Sequence, residues 1–557
     1  MAAATNAAPI HWPNRRRSIP SCMLNTPTSS TSRPRSGSKP RGASLQNREH
    51  RIAGIRGLPS AHTSVPAQSE SMTDITESFD LIVVGAGLGG LTAAVRGAQH
   101  GLRTILIEAG NEVGGTAYFS GGGLHIWGAE TWEDYRRHTP LSDERLTRAL
   151  FDGFRPYVDW LTSTGAPGAY ERTVIRGLGL LKYQLGRTMA PHHRRRWFDH
   201  LVMRYRAAGG TLWTRTRARS LTHHFIEVER DNQTLTLRGR AIVLAAGGFQ
   251  AAPDLVERHV GLGPEATVRR AVATDVGDGL RMALAAGAAA TPAMDSIYGH
   301  LMPAAPCRID WHDPMAPITL SAFYAQHGIV VNATGRRFVD ESAGELNGTT
   351  INAAARQPGS LWVVMDDAIR RRPARYEVPR ELLRPSSLRY ARLLRHARIA
   401  WKGHGPALLL DSIGQAERAG ALVVRGATVP QLAAGLAGHG VDPVGLMETV
   451  ADYNAAIVSG TADRLTIPRA DARHPIASPP FLAIKVAVGI SMTYGGVAID
   501  TSARALDAAG TPVPGLYAVP GTAGGVHHLH YAGALAACGV FGMIAADTAA
   551  ADLAISG

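Results

Sequence analysis

His527, His528 and His530 fall within four positions of one another, and Tyr531 follows directly. Imidazole titrates near neutrality, so such a cluster can supply a general acid, a general base or hydrogen-bond donors. A metal centre would need Cys or acidic ligands in the same stretch, and none stands there, so no metal is expected. Tyr494, in the run Ser491-Met492-Thr493-Tyr494-Gly495-Gly496, adds a phenol, and Tyr298 and Tyr324 add two more. A phenolic O–H can polarise a carbonyl, although core aromatics look the same in sequence. His527, His530, Tyr494, Tyr324 and Tyr298 are the candidate catalytic side chains.

Side chains of these kinds move protons, whereas hydride transfer needs a cofactor. Residues 80–85, Asp-Leu-Ile-Val-Val-Gly, have the apolar, β-branched character of a buried parallel strand. Gly85, Gly87 and Gly90 then form G-x-G-x-x-G, with Gly89 also present, ahead of a helical stretch at 91–100. Absence of Cβ permits the tight turn and lets backbone approach a pyrophosphate, whose charge the helix N-terminus favours. A second strand at 103–107 ends at Glu108, placed to accept ribose hydroxyls. Strand, glycines, helix, strand and acid together make a dinucleotide site.

The pattern alone leaves FAD and NAD open. Gly114-Gly115-Thr116 leads into Ser120-Gly121-Gly122-Gly123, small residues that let a loop lie against a bulky planar ring. Residues 241–248 form another buried strand ending at Ala246 and Gly247. A third, at 515–519, runs into a glycine segment that includes Gly525, and Ala534 and Leu535 follow where a helix is expected. The N-terminus of that helix would stabilise negative charge on a reduced flavin ring.

The stretch from Asp80 to about Ala549 resembles the flavoprotein family of fumarate reductases, succinate dehydrogenases and 3-ketosteroid Δ1-dehydrogenases. Four segments in the same order carry the resemblance: 83–123, 242–249 with 274–288 (which brings in Asp278), 328–342, and 510–546. It implies an α/β fold: a Rossmann-like FAD-binding domain, discontinuous in sequence, built from 76–303 and 471–557. An α+β cap from 304–470 would be inserted between them, with substrate at the interface. The segment 111–122 lacks the flavin-attachment His of some relatives, so FAD is expected to be non-covalent. In the succinate and fumarate branch an Arg that clamps carboxylate stands four residues after the His matched by His527, and here that place holds Tyr531. Tyr531-Ala532-Gly533-Ala534 looks more like the ketosteroid branch, yet Leu482 stands where that branch has a tyrosine. The resemblance therefore implies an enzyme acting on a CH–CH bond beside a carbonyl, with an apolar ketone as the expected substrate. An enoate reductase and a flavin-dependent hydratase or isomerase are the alternatives, and an external electron donor or acceptor is implied.

Composition sets the remaining bounds. The chain has 557 residues, 45% of them hydrophobic, and a formal charge of +13. Residues 1–71 hold ten basic and two acidic side chains, leaving only +5 for the rest. That tail is rich in Ser, Thr, Pro, Arg and Gly and is expected to be disordered and dispensable, with Met72 as a possible start. Only four of 58 basic residues are lysines, and no nucleic-acid partner is expected. Cys22, Cys307 and Cys538 form no CxxC pair or haem motif, which points to the cytoplasm. No membrane-spanning run is expected either, and the basic stretch 192–196 reads as a solvated surface.

Overall fold

The computed structural model describes residues 75–120, 122–127, 131–166, 173–175, 180–184, 191–313, 316–343, 348–371, 412–470, 474–531 and 533–555. The tail 1–71, Met72 and Gly121 lie outside the described residues.

Leu81, Ile82 and Val83 are fully buried in the first strand, Ile75–Val84. That strand pairs in parallel with Thr104–Ile107 on one side and Gln233–Leu244 on the other. Thr211–Trp213 extends the sheet beyond Thr104–Ile107, and Pro512–Ala518 lies parallel to Gln233–Leu244, with Leu516 opposite Ile242. A segment from the far end of the sequence therefore extends the sheet begun at residue 75. The continuous apolar runs of the central strands follow from this arrangement, because parallel strands are covered on both faces.

A second, six-stranded sheet is organised around Phe481–Thr493. This strand pairs antiparallel with Ile297–Pro303, Leu361–Asp366 and Val423–Gly426, and parallel with Thr267–Arg269. Residues 304–470 and 471–557 thus share one hydrogen-bonded sheet. The turn at Gly335 (φ +70°) packs so closely on the helix Pro443–Ser459 that a Cβ would lie 2.3 Å from the Leu446 nitrogen. Asp442 caps that helix by accepting from Val444 N, and Pro443 fills its first turn. Below the turn, buried Glu341 receives Arg337 at 2.6 Å and Arg469 at 3.0 Å.

The helices Leu88–Gln99 and Ala534–Ile555 cross at glycine contacts. A Cβ on Gly542 would stand 2.4 Å from the Gly89 carbonyl oxygen, and one on Gly539 would overlap the Tyr157 ring. Ala534–Ile555 is long and apolar enough to cross a membrane. Its apolar face instead packs within the fold, with Leu535, Val540, Phe541 and Ala545 buried.

Candidate active site

The glycine loop is shaped by approaches that only glycine permits. Gly85 has φ +99°, and a Cβ there would lie 2.4 Å from Ala245 O; on Gly90 it would lie 1.8 Å from Gly85 O. A Cβ on Gly89 would meet Val519 at 2.5 Å. At Gly87, by contrast, nothing of the protein lies within 4 Å, so the loop leaves open space there. Gly85 N donates to Ile107 O and Gly114 N to Ala86 O, which seats Gly114 and Gly115 beside the loop. Both have positive φ, +113° and +51°. Glu108 accepts from Ala86 N and Gly110 N, each at 2.7 Å. Burial raises its carboxyl pKa, and the two backbone hydrogen bonds oppose that shift.

Thr116 lies on the short turn Gly115–Phe119, and Ser120 closes it by donating to Ala117 O; Gly122 N then donates to Ser120 Oγ. Ala246 and Gly247 (φ +78°) follow the strand Gln233–Leu244. A Cβ on Gly525 (φ +85°) would meet the Leu146 and Thr291 side chains, and Ala534 and Leu535 open the last helix. Asp278 begins the helix Asp278–Ala285 and pairs with Arg217 at 2.8 Å. Three residues earlier stands Asp275, an acid that sequence reasoning passed over, bonded to Thr116 and Gln250. These backbone-rich surfaces, with open space at Gly87 and an acid at Glu108, fit a dinucleotide.

A second arrangement is built of rings. Tyr298 and His300 share one face of Ile297–Pro303, with the Tyr298 hydroxyl 3.3 Å from His300 Nε2. A register shift sits between Tyr298 and Gly299, where a Cβ would fall 1.7 Å from Gly489 O. Such a bulge re-aims the side chain next to it. Tyr298 stacks on Tyr531 at 4.0 Å and lies near-parallel to Tyr494 at 6.4 Å. The His527 ring lies 5.3 Å from Tyr494, and His125 lies 5.4 Å from Tyr531. The loop carrying the histidines is held by Leu529 N donating to Ser296 Oγ and by Asn352 Nδ2 donating to Leu529 O.

The structure thus brings Tyr298, Tyr494 and His527 together and adds Tyr531 and His125. His530 is half-buried on the same loop, beside His528. Tyr324 is buried on the turn Phe323–His327, whose Phe323 ring meets His300 at 5.0 Å. His125 carried no motif; the signals for Tyr531 were its place four residues after His527 and the likeness of Tyr531-Ala532-Gly533-Ala534 to the ketosteroid branch.

His527 and Tyr494 are each 2% exposed, and among the described residues neither the two His527 nitrogens nor the Tyr494 hydroxyl has a hydrogen-bond partner. Burial pushes His527 down to about 4 and Tyr494 well above 10. Both groups are therefore neutral over the physiological range, and Tyr494 keeps its donor proton. The charges acting on Tyr494 belong to Tyr298, Tyr531 and Tyr135. Uncompensated buried polar atoms cost free energy unless a ligand or water satisfies them, so this wall is a place for a polar atom of a ligand.

Comparison with known proteins supplies the family. The chain is 26% identical over 511 residues to a probable fumarate reductase, Ifc3, of Shewanella frigidimarina, covering 85% of this chain and 75% of that protein. It is 24% identical over 486 residues to the vinyl phenol reductase of Lactiplantibacillus plantarum, covering 81% and 91%. Its fold is similar to that of 3-ketosteroid Δ1-dehydrogenase from Sterolibacterium denitrificans, with TM-score 0.62, 21% identity, and 85% and 99% of the two chains covered. The FAD binding domain family matches residues 80–539. With the glycine cradle and Glu108 in place, the chain belongs to that family and is an FAD-dependent oxidoreductase acting on C=C or CH–CH bonds.

Proposed function

We propose that the protein transfers hydrogen across a carbon–carbon bond next to a neutral carbonyl, as a ketone α,β-dehydrogenase. One observation supports this reading above others: the unpartnered, uncharged Tyr494 and His527 sit in a wall of stacked tyrosines. A carbonyl oxygen needs donors of this kind, whereas a carboxylate calls for a cation. Arg270, a buried cation just after the strand Thr267–Arg269, is already engaged by Pro317 O and Ser491 Oγ.

Bound FAD would supply the hydride acceptor, held non-covalently against the loops at Gly85–Gly90, Gly114–Thr116 and Gly247. The phenols of Tyr298, Tyr494 and Tyr531 hold and polarise the carbonyl oxygen, which acidifies the adjacent C–H. Neutral His527 orients the substrate by hydrogen bonding, because its low pKa makes it a weak base. Half-buried His530, beside His528 and His138, carries the proton between the α-carbon and solvent. The buried rings exclude water from the reacting bond.

A second reading, an enoate reductase using an external donor, draws on the relatives named fumarate reductase and vinyl phenol reductase. Anaerobic mixing separates the two. A cyclic ketone should bleach the flavin absorbance of the oxidised protein, and an aryl enoate should leave chemically reduced protein unchanged. Rapid reoxidation by the enoate with no bleaching by the ketone would reverse the assignment, and product formation without any flavin colour change would favour isomerisation or hydration.

A further inference from the structure

Asp275 is a buried acid, 6% exposed, with no part in the chemistry described above. Its Oδ2 accepts from Thr116 Oγ1 and from Gln250 Nε2, each at 2.6 Å. Thr116 Oγ1 is fixed in turn by Val272 N at 3.0 Å, and Gln250 Nε2 also donates to Ser491 O. The other oxygen, Oδ1, lies against Gly247, where a Cβ would be 2.2 Å away. Thr116 and Gly247 belong to two of the small-residue segments that form the dinucleotide cradle, so the Asp275 carboxyl joins those segments. Both donors to it are neutral.

Three titratable or charged groups act at longer range. Glu108, at the end of Thr104–Ile107, opposes ionisation of Asp275; Arg269, on Thr267–Arg269, favours it; and the Cys538 thiol feels Asp275 from the last helix. FAD brings a doubly charged pyrophosphate into a cradle that already holds Glu108. A second ionised carboxylate there adds repulsion in a medium of low dielectric.

We propose that Asp275 couples FAD binding to proton uptake: the cradle holds the dinucleotide tightly while the Asp275 carboxyl is protonated and loosens as it ionises. Burial, reinforced by Glu108, pushes this group up to about 7, which places the switch near neutrality. By linkage, bound FAD raises the midpoint further, and one coupled proton changes Kd by at most about tenfold per pH unit. Asp275 acts here as a positioning residue, through Thr116 and Gly247.

The test is titration of the apoprotein with FAD, followed by quenching of FAD fluorescence, from about pH 5.5 to about pH 8.5. Wild-type Kd should rise by about tenfold or more across the upper half of that window. Asp275→Asn should bind with a nearly flat pH profile close to the wild-type value at low pH. Gln250→Met, which removes one donor to the ionised carboxylate, should move the midpoint upward. A flat wild-type profile overturns the proposal, as does an Asp275→Asn profile as steep as wild type, which would transfer the proton to another group. A Gln250→Met profile displaced uniformly, with its midpoint unmoved, assigns the network a merely structural role and also overturns it. Should Asp275→Asn fail to fold, the wild-type and Gln250→Met profiles decide alone.

Discussion

The cofactor cradle and the ring wall are made of different material. The cradle is backbone: glycines whose missing Cβ atoms let chain segments touch, with Glu108 as its main side chain. The wall is side chain: His125, Tyr298, Tyr494, His527 and Tyr531 arrive from segments far apart in sequence. A backbone site tolerates almost no substitution but constrains chemistry little. A side-chain site tolerates replacement structurally and loses function when its polar atoms change. Variants in each region should therefore separate fold, cofactor and turnover.

The largest effect is expected from Gly90→Val. Its side chain would collide with Gly85 O, and the protein should purify without flavin absorbance or not fold at all. Next, Tyr531→Phe and His527→Ala should each retain FAD yet lower turnover by about 100-fold, read as kcat with the substrate identified by the bleaching assay. Full activity in either variant would remove that residue from the wall's function. Glu108→Gln should weaken FAD binding by about tenfold, measured by fluorescence, while the substrate wall stays intact. Gly87→Ala sharpens the contrast, because a Cβ there meets no protein atom. Its apoprotein should melt like wild type while its FAD affinity falls; equal affinity would show that the open side of Gly87 is not where the cofactor lies.

The smallest effect concerns acid stability. His527 is pushed from 6.5 down to about 4, so the folded protein binds fewer protons than the unfolded chain between those values. Stability from this group is present above about 6.5 and is lost as pH falls toward about 4. The urea midpoint should drop between pH 7 and about pH 4.5, and less so in His527→Gln.

The same contrast explains what the sequence disclosed. G-x-G-x-x-G, the strands around it and Glu108 obey fixed local spacings, so the strand–loop–helix–strand unit could be read directly. The motif did not distinguish Asp275 from Asp278, because only the packed structure pairs one with Thr116 and the other with Arg217. His125 could not be foreseen, since its place beside Tyr531 depends on Gly533 approaching its carbonyl oxygen, where a Cβ would be 1.9 Å away. Tyr298 was one tyrosine among 14, and it is the register shift opposite Ser491 that marks it out.

The glycine crossing of Leu88–Gln99 with Ala534–Ile555 has a consequence for biogenesis. The first helix emerges from the ribosome hundreds of residues before the partner that closes against it, and the strand Pro512–Ala518 that widens the first sheet is made almost as late. Contacts this distant in sequence form slowly, and domains tend to consolidate as their segments appear. The early half must therefore wait with an apolar helix face and a sheet edge uncovered. Until residue 534 and beyond have been translated, the helix that covers that face does not yet exist.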